Sequence, residues 1–165
     1  MATDGNALSE DSLSQLKGLN QLRIGIVVSN WNKSITGSLL DAAVKIFKEA
    51  GCKEVLVRWV PGSFELPLAA KKIIVQEKVD GAMVIGNVIQ GETKHFDFVC
   101  QGVTQGTMDV MLETNTPISF CLLTDLNLQQ SLDRSGGALG NKGIECAVAA
   151  IKMAALKHLD RKSDH

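Results

Sequence analysis

The sequence predicts an α/β fold, a three-layer α/β/α sandwich on a four-stranded parallel sheet. Three observations predict it. Four short apolar, β-rich runs recur along the 165-residue chain: LRIGIVVS, EVLVRWV, GAMVIGNVI and PISFCLLT. A stretch with helical character follows each of them. The first run has almost no polar residue, as expected for a strand covered on both faces. Strand and helix alternating four times give parallel pairing, with helices on both sides of the sheet.

Residues 1–20 are polar and aperiodic and read as an N-terminal arm; residues 21–165 read as a single domain. Leu22–Ser29 is the first strand. Ile35, Leu39, Ala43, Ile46 and Phe47 then recur at helical spacing, and Gly51 stops that helix. Glu54–Val60 is the second strand, closed by Pro61-Gly62, with Trp59 read as a packing residue. Leu66–Glu77 is a helix that accepts Pro67 in its first turn. Gly81–Ile89 is the third strand. The helix after it, from His95 to Glu113, is weakened by Gly102 and Gly106. Pro117–Thr124 is the fourth strand, Asn127–Arg134 a short helix and Ser135–Gly143 a loop. Ile144–Leu159 is a long helix with Ile144, Val148, Ile151, Ala155 and Leu159 along one face.

Composition excludes several classes. The formal net charge is −1 with the two signs mixed, so there is no electrostatic footprint for nucleic acid or an anionic membrane. No apolar run is long enough to span a bilayer. Cys52, Cys100, Cys121 and Cys146 lie far apart, form no CxxC pair and have no histidine cluster beside them. They read as reduced thiols, and no metal site is expected. The N-terminus has no apolar secretory core and no arginine before Arg23. The expected location is the cytoplasm.

In such sheets ligands bind outside the carboxyl ends of the strands. Four segments lie there: SNWN, PGSFE, GNVIQGETKH and TDLN. GNVIQGET has the GxxxxG frame of a phosphate loop, but Glu92 replaces the lysine, so a nucleotide loop is not expected. Two readings remain. In one, Gly91 turns the backbone and the amides of Glu92 and Thr93 face an anion at a helix start, with the Thr93 hydroxyl as a further donor. In the other the segment is a plain strand-to-helix turn capped by Thr93. His95 suits proton transfer, as an imidazole can both give and take a proton, or it is a surface histidine at a helix start. Trp31 is placed to stack a flat heterocycle, or it packs. Glu65 is placed to accept hydrogen bonds from a ligand, or it complements a helix dipole. Arg134 and Lys142 flank SGGALGNKG and reach for a phosphate, or lie in solvent.

Taken together, these segments resemble lumazine synthase. The resemblance runs from Leu22 to Leu156 and rests on VPGSFELP, GNVIQGETKHFDFVCQG, PISFCLLT, QSLDRSGG and GNKGIECAVAAIKMA in this order. It implies a flavodoxin-like fold and a transferase of riboflavin biosynthesis. That enzyme condenses 5-amino-6-(D-ribitylamino)uracil with 3,4-dihydroxy-2-butanone 4-phosphate to 6,7-dimethyl-8-ribityllumazine, with release of phosphate and water and without a cofactor. It implies ring stacking on Trp31, contacts of the ribityl chain and ring edge with Ser63, Phe64 and Glu65, and a pocket wall at Val88 and Ile89. It implies substrate phosphate at Gly91, Glu92 and Thr93 with Arg134 across from it, and proton transfer by His95. Phe120, Arg134 and Lys142 match residues that a neighbouring subunit contributes. Two departures stand out: Gln90 where many members have a basic residue, and Glu92, which puts a negative side chain at the phosphate loop; Trp31 also stands where many members have Phe.

The resemblance also implies rings of five with sites between adjacent subunits. The compact Ser135–Gly143 loop is similar to that of members that close sixty-subunit icosahedral shells. Riboflavin synthase is the implied protein partner. A rival expectation is a non-catalytic flavin- or lumazine-binding shell protein of the same fold; another is a flavodoxin-like mononucleotide-binding module.

Overall fold

The computed structural model describes Leu13, Ser14, Leu16 and residues 18–160, without the side chains of 157–160. Most of the expected N-terminal arm and the last five residues therefore lie outside the described part. Leu13 itself is buried, and Leu16 and Leu19 pack beside it.

The elements follow the expected alternation: β1 (Arg23–Ser29), α1 (Lys33–Glu49), β2 (Glu54–Val60), α2 (Leu66–Glu77), β3 (Gly81–Ile89), α3 (His95–Thr114), β4 (Ile118–Asp125) and α4 (Leu128–Arg134). A small hairpin, β5 (Ser135–Gly137) and β6 (Gly140–Asn141), leads into α5 (Lys142–Asp160). The four long strands form one sheet in the order β2-β1-β3-β4, and every neighbouring pair is parallel. This is the three-layer α/β/α, flavodoxin-like arrangement.

Successive side chains of a strand point to opposite faces, so β1 builds two cores at once. Ile24, Ile26 and Val28 meet Leu39, Ala43 and Phe47 of α1 and Val148 and Ile151 of α5. Val27 faces the other way, with Val84 and Leu122, onto Leu66 and Ile73 of α2 and Val103 of α3. All these residues are buried. Each such side chain contributes about 1.5–3 kcal/mol on burial.

Three local features differ from the sequence expectations. Gly102 and Gly106 do not fray α3; they admit its neighbours. A Cβ at Gly102 would lie 3.0 Å from the Phe64 ring, and one at Gly106 3.0 Å from Pro67 Cβ. Trp59 is not a packing residue. β2 is an edge strand, its outward residues stay in solvent, and Lys33 Nζ sits 5.2 Å over the Trp59 ring. The Ser135–Gly143 loop contains the β5–β6 hairpin, and α5 begins two residues early. Asn141 explains the early start. Its Oδ1 accepts from the Gly143 amide at 2.8 Å, while its Nδ2 donates to the Ser38 carbonyl at 3.2 Å. The helix start closes so tightly on α1 that a Cβ at Gly143 would fall 2.2 Å from the Leu39 carbonyl oxygen. Among the described residues no helix is long and apolar enough to cross a membrane.

Candidate active site at the carboxyl edge of the sheet

The strand order reverses between β1 and β3, and there the carboxyl edge opens. Pairing between β1 and β3 ends at Val28 and Ile85. β1 stays with β2 to Ser29 and Val60, and β3 stays with β4 to Ile89 and Asp125. The strands part around a crevice, the usual ligand position in open α/β sheets.

Trp31 stands at the lip of this crevice and is 70% exposed. Its turn is held from below: the Trp31 amide donates to Ser29 Oγ at 3.2 Å, and Thr36 Oγ1 donates to the Ser29 carbonyl at 2.8 Å. Asn32, next in sequence, has the left-handed backbone (φ 55°) that amide side chains tolerate. The exposed indole is therefore not part of the core of its own chain.

The PGSFE turn forms the adjoining wall. Ser63–Glu65 is a 3-10 turn that leads directly into α2. Ser63 is buried, and its Oγ finds no hydrogen-bond partner among the described residues. Gly86 makes room for it, because a Cβ there would lie 2.7 Å from Ser63 Oγ. Phe64 rests against Gly102 with 63% of its surface exposed. Glu65 Oε2 accepts from the Gly62 amide at 2.9 Å, so the carboxylate of this exposed residue fixes the turn.

Val88 and Ile89 are half-buried at the end of β3. Gly91, Glu92, Thr93 and His95 are exposed, and nothing lies within 4 Å of a Cβ placed on Gly91. Thr93 does not occupy the cap of α3; Lys94 does, without a side-chain bond. Thr93 Oγ1 accepts from the His95 amide at 3.4 Å, a long contact that leaves its hydroxyl proton for another acceptor. His95 opens a twenty-residue helix, so its imidazole sits where backbone N–H groups face outward.

The remaining three candidates lie elsewhere on the same chain. An open groove of about 920 Å³ runs between the free edge of β4 and α5, lined by Phe120, Arg134, Leu139, Lys142, Cys146 and Met153 among others. Phe120 pairs with Val84, four positions or about 13 Å before the level of Val88. Lys142 Nζ donates to both Glu145 oxygens at 2.8 Å, which offsets much of its charge. Arg134 lies at the upper end of the groove. Its Nη1 donates to the Gln130 carbonyl at 3.0 Å, and its Nε faces Asp125 Oδ1 at 4.0 Å. The candidates thus fall into two groups on one chain: Trp31, the PGSFE turn and the Gly91–His95 loop on the carboxyl rim, and Phe120, Arg134 and Lys142 along the groove between β4 and α5.

Sequence reasoning missed a polar chain under the rim. Asn32, Asn87, Ser131 and Asp125 form it, and the last three are buried. The available signal was Asn87, an isolated amide in the apolar run GAMVIGNVI.

Comparison with known proteins bears on the whole chain. Residues 21–158 match the family model described as 6,7-dimethyl-8-ribityllumazine synthase. A protein of that name from Christiangramia forsetii is 53% identical, over 95% of this chain and 95% of its own length. The one from Flavobacterium johnsoniae is 52% identical over 95% of this chain and 84% of its own. The one from Phocaeicola vulgatus is 44% identical over 99% and 98%.

Proposed function

The chain belongs to the 6,7-dimethyl-8-ribityllumazine synthase family, and from that premise we propose that it is a transferase that joins 5-amino-6-(D-ribitylamino)uracil to 3,4-dihydroxy-2-butanone 4-phosphate, releasing phosphate and water. The product is 6,7-dimethyl-8-ribityllumazine, and the reaction is the penultimate step of riboflavin biosynthesis. The observation that carries this reading is the carboxyl edge of the sheet, where an exposed indole, the PGSFE turn, an open glycine turn and an exposed histidine follow successive strands.

The residue roles follow from chemistry. The pyrimidine stacks on Trp31, and Ser63, Phe64 and Glu65 of the PGSFE turn meet its edge and the ribityl chain. Val88 and Ile89 supply an apolar wall. The phosphate lies on the amides of Gly91, Glu92 and Thr93, with the Glu92 side chain turned to water. The substrate's own amine attacks the ketone, so no protein nucleophile is needed. Imine formation, phosphate departure and ring closure each move protons, and His95 relays them. Much of the acceleration comes from holding two reactants in one orientation.

Phe120, Arg134 and Lys142 serve the site of the adjacent subunit. Support comes from their place along the groove between β4 and α5, with Phe120 well below the carboxyl rim of its own chain. Exposed Phe120, Leu139 and Met153 give this groove the apolar character of a subunit contact. The proposed assembly is a ring of five, closing further into an icosahedral shell that houses riboflavin synthase. The domain spans residues 21–165 behind a polar arm, and the enzyme works in the cytoplasm.

The test is an assay with both substrates. Lumazine formation well above the uncatalysed rate supports the reading. Flavin or lumazine binding without turnover replaces it with a non-catalytic binding protein.

A further inference from the structure

The crevice conceals a one-way chain of hydrogen bonds. Asn32 Nδ2 donates to Asn87 Oδ1 at 2.8 Å, Asn87 Nδ2 to Ser131 Oγ at 2.9 Å, and Ser131 Oγ to Asp125 Oδ2 at 2.7 Å. Four side chains take part, from the turn after β1, from β3, from α4 and from the end of β4. Asn87 is 1% exposed, Ser131 0% and Asp125 5%. Every link donates toward the carboxylate, so each bond polarises the next in the same sense.

A carboxylate this buried needs compensation. One oxygen of Asp125 receives the Ser131 hydroxyl; the other, Oδ1, faces Arg134 Nε at 4.0 Å. The Gln130 carbonyl anchors the Arg134 guanidinium at Nη1, and the Asp125 carboxylate faces its Nε as an ion-pair neighbour. The remaining N–H groups of the fork are those free to meet an anion in the groove. The backbone supports the same corner, since the Asp125 carbonyl accepts from the Gln90 amide at 2.9 Å.

We propose that Asp125, fixed by the buried Asn32–Asn87–Ser131 chain, is the positioning residue that aims the Arg134 fork at the phosphate of the butanone substrate. This rests on the phosphate role given to Arg134 above. Asp125 touches no substrate and acts through the guanidinium. The chain also ties that aim to the turn carrying Trp31.

The experiment compares steady-state kinetics of Asp125→Asn, Arg134→Ala and the double variant, with size and thermal melting as controls. Asp125→Asn keeps the shape and removes the charge. It is expected to raise KM for the phosphobutanone roughly tenfold, leave KM for the ribitylaminouracil unchanged and change kcat less than twofold. In the Arg134→Ala background the same substitution is expected to add nothing, because its route to the substrate is gone. A further rise in that background, equal rises in both KM values, or an unchanged phosphobutanone KM overturns the proposal. If Asp125→Asn does not assemble, Ser131→Ala serves; a roughly threefold rise in the same KM supports the proposal and none overturns it. Arg134→Ala alone separates the two readings: if it leaves the phosphobutanone KM unchanged, the phosphate role itself fails.

Discussion

Replacing Gly86 with alanine tests how firmly the PGSFE turn is seated on β3. The new methyl would lie 2.6 Å from Leu122 Cδ1, 2.7 Å from Ser63 Oγ and 2.9 Å from Leu66 Cδ1. Ordinary contacts fall near 3.5–4.0 Å, so about 0.6–1.4 Å must be recovered at three places on three elements. The leucine ends can rotate. Ser63 cannot withdraw without carrying Phe64 and Glu65, because the turn runs straight into α2. Overpacking of this kind costs about 1–3 kcal/mol. Alanine restricts the unfolded chain and returns about 0.5–1 kcal/mol. With three clashes the upper end applies, and the net loss is about 2 kcal/mol, a urea midpoint lower by roughly 1 M. The protein concentration must be matched, since an oligomer's stability depends on it. KM for the ribitylaminouracil should rise while that for the phosphobutanone holds. Adding Ser63→Ala removes the 2.7 Å clash and should recover part of the midpoint. A midpoint within about 0.2 M of the parent, with both KM values intact, would refute the reasoning.

Other consequences are as direct. Arg134→Ala should raise KM for the phosphobutanone by roughly 10- to 150-fold, the range of one charge-assisted contact. His95→Ala should lower kcat by roughly a hundredfold and leave ring binding intact, as followed by lumazine titration. In Trp59→Phe protein the only indole is Trp31, and lumazine should quench its emission; unchanged emission removes Trp31 from stacking. Burial pushes the Cys52 thiol from 9.0 up to about 11. Below pH 9 the thiol is neutral folded or unfolded and its contribution is complete. As pH climbs through about 11, the unfolded chain ionises first and stability falls. Urea midpoints across that window should decline less in Cys52→Ala; equal slopes would show that Cys52 is not the group responsible.

The sheet was legible because burial on both faces leaves a plain mark. Ile24 to Val28 contain no polar residue, and each long run became a strand within a residue or so of its expected bounds. The rim was legible for another reason: glycine, proline and a lone indole at strand ends have few uses. Two things stayed hidden. Trp59 sits in a run that reads as half-buried, and only the strand order makes it an edge. The polar chain joins residues 55, 44 and 6 positions apart, which no local pattern can bring together. Gly102 and Gly106 misled for the same reason, since their use lies in the partner they admit.

That close seating has a mechanical outcome. α3 bears His95 at its tip and rests its flank on Phe64 and Pro67 with no slack between. Imidazole and phenyl ring are therefore geared to a single rod, and neither can drift without the other. Reworking the outward side of that rod, at Met108 or Leu112, should leave the gearing untouched, whereas one extra methyl at position 102 or 106 would lever both groups out of register.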